Sequence, residues 1–567
     1  MSAWPEPFSF GALPLPDGRT RFRLWAPTAA PGLALVIEGR APIALHPDAQ
    51  GYAQVDVDCG AGTRYRYRLG DGTLVPDPAS RLQQDDVHGA SIVTGADAYP
   101  WRHPGWRGRP WEETVLYEVH AGLAGGYAGL RQRLPALAEL GVTLLELMPL
   151  ADFPGPRNWG YDGVLPYAPD TAYGSPDDLK ALIDSAHGLG MGVMLDVVYN
   201  HFGPDGNFLA SYAAPFFRDD IQTPWGAAID FRQAAVRRYF AENALHWLGE
   251  YRFDGLRLDA VHAIAGHGWL EELAQHVRGQ LPGRHVHLVL ENDDAHHVLH
   301  HLLTGESQGY YADYAAQPSE ALARCLEQGW LYQGQPSAHR GGRPRGEPSA
   351  HLPPTAFVLF LQNHDQTGNR AHGDRLTRLV PSADRLRAAV ALQLLSPQIP
   401  LIFMGEESGS ESPFLYFTSH TDPALAQAVR EGRRREFSSF AEFSGTDAAT
   451  LPDPDDPATY ARSQPWTAEQ DDDAKTWLTY YRALLHLRQR ALALGERGVH
   501  ARWRLGDRAV LTLYANLGAA PQPLPSSLAP TGDFSDLLFE SLPGACAALA
   551  TGSVCGDSAV YLLEDAA

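Results

Sequence analysis

The chain has 567 residues, 44% hydrophobic and 20% charged, with a net charge of −22. That length exceeds what one hydrophobic core supports and leaves room for three domains. The acidic balance excludes nucleic acid and anionic membranes as partners, because phosphate binding needs clustered Lys and Arg, and no apolar stretch reaches the ~20 residues of a membrane span.

In chain order, Met1 to Phe10 shows neither the basic nor the apolar segment of a signal peptide, so a cytoplasmic protein is expected. Residues 1–100 read as all-β. Arg21–Trp25, Leu33–Ile37 and Arg64–Leu69 are strand-like runs between Gly and Pro punctuation, a pattern of short strands that fits an immunoglobulin-like sandwich. Trp25 reads as a core residue there. Pro100 to Trp111, rich in Pro, Trp and Arg, reads as a linker. From Val115 strand and helix alternate, the grammar of parallel βα units. Strands are expected at Val115–Val119, Thr143–Leu147, Gly192–Val198, Gly255–Ala260, Val286–Glu291, Ala356–Leu361 and Leu401–Met404. Helices are expected at Leu130–Leu140, Pro176–Leu189, Arg232–Glu250, Gly268–Gln280 and Asp384–Leu395. The fold class is therefore an α/β barrel of the eightfold TIM type, occupying residues 101–496 with its following helices. It is short of one βα unit after the fifth strand. Between Glu291 and Ala356 only the tyrosine-rich Gly309–Tyr314 is left over as a strand candidate, flanked by helical Ala295–Leu303 and Pro318–Gln328. Residues 334–354, rich in Gly, Pro, Arg and Ser, read as a mobile loop. Residues 497–567 return to strand patterning and form a small C-terminal β domain. Cys59, Cys325, Cys546 and Cys555 lack metal-ligand spacing, and a reduced chain is expected, Cys546 and Cys555 being the pair that could join. The run Arg433–Arg435, followed by Glu436, reads as a helix surface or an ion-pair cluster.

Acidic residues close several of these strands. Asp259 ends the run from Phe253, Glu291 ends Val286–Leu290, and Asp365 follows Phe357–His364. Carboxylates at the carboxyl ends of successive strands are how a (β/α) barrel assembles an active site. Glycoside hydrolysis needs one carboxylic acid to protonate the leaving oxygen and one carboxylate to attack or to activate water. Arg257, two residues before Asp259, shares its strand face and favours the ionised form, so Asp259 is the better nucleophile candidate. Glu291 follows an apolar strand, and partial desolvation suits a general acid. A lone Asp after a strand is usually a cap or turn residue. Four strands in order ending Asn/His, Arg/Asp, Glu and His/Asp are a different matter.

These residues resemble the four sequence regions of the α-amylase family of glycoside hydrolases: Asp196–His201, Gly255–His262, the surroundings of Glu291, and Gln362–Gln366. The resemblance implies Asp259 as nucleophile of a retaining displacement, Glu291 as acid/base and Asp365 as transition-state stabiliser. It implies Asn200, His201, Arg257, His262 and His364 as substrate-binding residues, Tyr161 as the tyrosine that stacks on the sugar, and no metal or cofactor. Segments such as Glu146–Phe153, Phe403–Glu407, Pro413–Phe417 and Glu431–Phe437 resemble a trehalose-releasing branch of that family. The substrate so implied is maltooligosyltrehalose, cut at the α-1,4 bond next to its terminal trehalose. A branching enzyme or an α-amylase is the alternative within the class, and a catalytically impaired glucan-binding protein the alternative outside it. The chain departs from the family where Glu291–Asp294 runs directly into Ala295-His296-His297, as if the sequence between two acidic motifs were lost, and near His120–Gly126, where a loop is shorter.

Overall fold

Strands from residue 116 onward build one parallel sheet that curls around an apolar interior. A computed structural model describes residues 9–95, 99–264, 266, 268–292, 298–438, 451–466, 471–492, 498–499, 502–505, 509–516, 521–524 and 537–565. Seven barrel strands run Leu116–Val119, Leu144–Leu147, Gly192–Val197, Gly255–Leu258, His287–Leu290, Val358–Leu359 and Ile399–Phe403. Their order across the sheet is fifth, fourth, third, second, first, seventh, sixth. Every pairing is parallel, and the register places Leu144 beside both Leu116 and Gly192. Leu116, Leu144, Met194, Ile399 and Leu401 form a buried cluster inside the curl, with Val289, Val358 and Phe360 against it. Helices cover the outside. Helix Pro176–Gly188 shows why they form: Ser175 and Asp178 make a reciprocal capping box, Pro176 occupies the first turn, and Leu179, Leu182, Ile183 and Ala186 bury one stripe.

Among the described residues, no strand stands between the fifth and the sixth, as the expected shortfall of one βα unit requires. Helices Val298–Thr304 and Pro318–Gln328 and a 3-10 turn at Gly309–Tyr314 stand between the fifth and sixth strands. Among the described residues, the fifth and sixth strands do not pair with each other. All four residues of the fourth strand are buried, while those of the fifth are only partly covered. Leu290 is 50% exposed.

Two antiparallel sheets occupy the N-terminal part, one of three strands (Gly11–Pro14, Thr20–Trp25, Tyr52–Val57) and one built around Ala34–Ile37 and Arg64–Arg68. Trp25 is buried against Phe216 and donates to the Gln50 carbonyl, a core role. Tyr239 on helix Ala234–Leu245 donates to the Pro78 carbonyl, and Ser9 donates twice to Glu242. A five-stranded antiparallel sheet lies near the C-terminus, where Tyr561 donates to the carbonyls of Ala391 and Leu392 on helix Ala383–Leu395.

Two segments differ from the sequence reading. Pro100–Trp111 is bolted to the barrel: Arg102 and His103 bond Asp184, Trp106 Nε1 donates to Asp254 at 2.8 Å, and Trp111 donates to the Thr355 carbonyl. Half-buried tryptophans with satisfied N–H groups made a linker of this composition into a clamp. The loop 334–354 is anchored by Arg345, 2% exposed, which pairs with Asp313 at 2.8 Å. Arg433 pairs with Glu436 and Arg435 with Glu431 on helix Pro423–Ser438, as an ion-pair cluster would. Cys59, Cys325, Cys546 and Cys555 are all free thiols.

Candidate active site

The carboxyl ends of the third, fourth and fifth strands place Asp196, Arg257, Asp259 and Glu291 together. Register sets Asp196 beside Arg257, and Asp259 stands two residues further along the same face. Arg257 Nη1 donates to Asp196 Oδ2 at 2.7 Å and to Asp259 Oδ1 at 2.8 Å. Its Nη2 lies 3.9 Å from Glu291 Oε2. One guanidinium, 6% exposed, thus reaches all three acids. Ala260 has φ of 43°, in the left-handed region that alanine seldom adopts. That turn aims its N–H at Glu291 Oε2, 2.7 Å away, and ties the fifth strand end to the residue after Asp259.

Burial raises the Glu291 carboxyl above its ordinary value, and Asp259 and Asp365 push in the same direction, against the pull of Arg257 and the Ala260 N–H. Burial likewise pushes Asp196 up to about 7 against Arg257. Asp365 stands in the first turn of the short helix His364–Gly368. Asn363 caps that helix by accepting from the N–H groups of Asp365 and Gln366, and Gln366 returns a bond to Asn363 N–H.

The loop Asn158–Asp162 brings Tyr161 across the site. Gly160, with φ of 105°, packs so tightly on Pro149 that a Cβ would meet its carbonyl oxygen at 2.2 Å, so only glycine fits. Tyr161 Oη donates to Asp196 Oδ2 at 2.6 Å and lies 2.9 Å from His364 Nε2, with the two rings stacked at 5.1 Å. His201 Nε2 is 3.0 Å from the Tyr161 carbonyl, and burial lowers its pKa, so its ring is neutral at pH 7. The Asn200 amide is buried with neither polar atom bonded among the described residues. His262 is exposed on the turn after the fourth strand, apart from this network. The fused stretch Asp293–His297 lies outside the described residues.

Two residues join the site that the sequence reading passed over. Trp225, in the turn of the hairpin Phe217–Thr223 and Gly226–Ile229, lies flat on His201 at 4.9 Å and 9° while remaining 46% exposed. Its signal was a tryptophan in the turn-forming sequence Thr223-Pro224-Trp225-Gly226. Glu118, in the first strand, accepts from His364 Nδ1 at 2.5 Å. Its signal was a charge inside an otherwise apolar run.

Paired acidic groups at the carboxyl ends of a curled parallel sheet, with a tyrosine and histidines around them, form the kind of site a barrel glycoside hydrolase uses. The family model for the alpha amylase catalytic domain matches residues 84–218, and one for a domain of unknown function, DUF3459, matches residues 486–561. A malto-oligosyltrehalose trehalohydrolase from Deinococcus radiodurans is 41% identical over 86% of this chain and 84% of its own. One from Saccharolobus solfataricus is 41% identical over 74% and 79%. A crystal structure from Salmonella typhimurium, assigned as an alpha amylase, superposes with a TM-score of 0.90 at 41% identity, covering 98% of this chain and 99% of that one. The chain belongs to the malto-oligosyltrehalose trehalohydrolase family, a branch of the α-amylase glycoside hydrolases. No helix among the described residues is long and apolar enough to cross a membrane.

Proposed function

We propose that the protein hydrolyses the α-1,4-glucosidic bond next to the terminal trehalose of maltooligosyltrehalose, releasing trehalose and a shortened maltooligosaccharide, in the cytoplasm. The observation that carries the reading is the shared guanidinium: Arg257 is 2.8 Å from Asp259 and 3.9 Å from Glu291. In this mechanism Asp259 attacks the anomeric carbon as the trehalose leaves. Glu291, whose burial favours the protonated form, gives its proton to the departing oxygen. The covalent glucosyl intermediate is then opened by water, with Glu291 now the base. Asp365 stabilises the oxocarbenium-like transition state. Tyr161 and His364 pack on the sugar in the cleavage subsite, and Asn200, His201 and His262 bind hydroxyls, with Trp225 offering an apolar face for a neighbouring ring. The division at residues 1–100, 101–496 and 497–567 accompanies this reading, the two β domains flanking the catalytic barrel.

The test is product analysis of the purified protein with maltotriosyltrehalose. Trehalose and maltotriose in equal amounts support the reading. New branch points on plain maltooligosaccharide would replace it with a branching enzyme. The seam after the fifth strand, unpaired among the described residues, favours a second reading, a glucan-binding protein without turnover. Binding of maltooligosyltrehalose by folded protein, with no cleavage, would establish that one.

A further inference from the structure

Behind the residues that face the cleft lies a buried acid with no part in the steps above. Glu118, 2% exposed, accepts from His364 through both oxygens: Oε1 from Nδ1 at 2.5 Å and Oε2 from the backbone N–H at 3.0 Å. These contacts fix the protonation of the imidazole. Nδ1 faces a carboxylate and carries a proton. Nε2 faces Tyr161 Oη at 2.9 Å, and that hydroxyl is 2.6 Å from Asp196 Oδ2. A phenol has one proton. Given to Asp196, it leaves the oxygen able only to accept from Nε2, which must then be a donor too. Both ring nitrogens donate only in the imidazolium. The reverse order would place a proton on Asp196 Oδ2, the same oxygen that already accepts from Arg257 Nη1 at 2.7 Å. The guanidinium opposes it, because its charge favours the ionised form of Asp196.

Resting on the hydrolytic reading above, we propose that Glu118 is a positioning residue for the reaction. It holds His364 as an imidazolium and thereby sets the donor order of the buried chain Glu118, His364, Tyr161, Asp196, Arg257, Asp259, whose last member is the nucleophile. The charged and titratable groups facing His364 agree with this. Burial alone would lower its pKa, but Glu118 from the first strand, foremost, and Asp365 at 3.6 Å raise it, to about 9, against Arg257 from the fourth strand. Asp196 from the third strand and Tyr161 from the loop complete the surroundings. Glu146, the register partner of Glu118 on the second strand, is pushed by burial and by Glu118 up to about 8, so it is neutral at pH 7 and adds no second charge.

The test uses Glu118→Gln, which keeps the shape and removes the charge, with the ring nitrogens of His364 followed by nitrogen-15 NMR. In the wild type both are protonated at pH 7. In the variant the pKa of His364 falls below 7. With maltotriosyltrehalose, kcat at pH 7 drops by about tenfold to a hundredfold, the scale of a slightly misplaced reacting group, while KM changes far less. Part of kcat returns as the pH is lowered and His364 is protonated again. A merely structural role for Glu118 would lower activity equally at every pH, and that outcome, or an unchanged His364 pKa in the variant, overturns the proposal. If the variant does not fold, the wild-type titration decides, since a neutral His364 at pH 7 refutes it. The NMR readout needs no turnover, so a failure of the hydrolytic reading and a failure of this inference are seen separately.

Discussion

Asp152→Asn should change how the stability of this protein depends on pH. Asp152 and Asp170 flank the hairpin that follows the second barrel strand and are 1% and 2% exposed. The Asp170 carboxylate accepts from the N–H groups of Phe153 and Ala172 at 3.1 and 2.8 Å. Burial, then the negative charges of Asp170 and Asp86, raise Asp152 well above the usual carboxyl range, so it is the neutral partner and donates to Asp170. Burial also pushes Asp170 up to about 7, against its two backbone donors. The sign follows. An unfolded Asp loses its proton near pH 4, whereas the folded pair gives up its first proton only at about pH 7 and holds the one on Asp152 beyond that, so stability is lost as the pH rises from about 4. A rise from 3.8 to about 7 corresponds to roughly 4 kcal/mol at ~1.4 kcal/mol per unit, an upper bound for a pair that titrates as a unit. Asn at 152 keeps an N–H donor for Asp170 and removes one ionisable group. Urea unfolding followed by tryptophan fluorescence from pH 5 to pH 8 should show a shallower fall for the variant, which becomes the more stable of the two above pH 7. Other acids raised by burial, Asp77 and Glu406 among them, are common to both proteins and cancel in the difference. Parallel curves for the two proteins would refute the reasoning.

Asp259→Asn should abolish turnover while leaving the fold intact, checked by trehalose release and circular dichroism; near-normal activity would remove Asp259 from the nucleophile's role. Glu291→Gln should lower kcat by about 10²- to 10⁴-fold on maltotriosyltrehalose, and by much less on a glucoside with a good leaving group, because such a group needs no proton. Equal losses on both substrates would count against the acid role. Trp225→Ala should raise KM about fivefold to tenfold, the equivalent of roughly 1 kcal/mol for one aromatic face, with kcat nearly unchanged; steady-state kinetics with an unaltered KM would show that Trp225 does not meet the sugar.

All seven barrel strands were legible because each is an apolar run bounded by polar or glycine-containing turns, and a parallel strand buried on both faces has that signature. The missing unit was legible for the converse reason: no such run exists between Glu291 and Ala356. Arg257 and Asp259 could be paired from the sequence because they stand two apart on one strand. The partners of His364 could not. Glu118 is 246 residues away, and only the closing of the sheet, which sets the seventh strand against the first, brings that part of the chain together. Trp225 belongs to the same class, since its contact with His201 depends on how a hairpin folds back over the third strand. The Pro100–Trp111 segment misled because proline and arginine read as exposed, while the indole N–H groups that pin Trp106 and Trp111 have partners far along the chain.

The place of the missing unit explains why the site assembles without it. The network is drawn from the first, third, fourth and fifth strands, the loop after the second, and the helix that follows the sixth. A sixth unit of a complete barrel would stand between Glu291 and Asp365 in sequence, but each of those residues is fixed from its other side. Glu291 is fixed by the Ala260 N–H and by backbone bonds to Leu258 and Val261. The helix bearing Asp365 is fixed by the Asn363 cap and by Glu118. What the shortfall removes is cover on the outer face of the fifth strand, where Leu290 stays half exposed, a loss of about 1 kcal/mol for half a leucine. A parallel strand open along one edge is also a template for further pairing. The consequence of the lost unit therefore falls on stability and self-association more than on the geometry of the carboxylates.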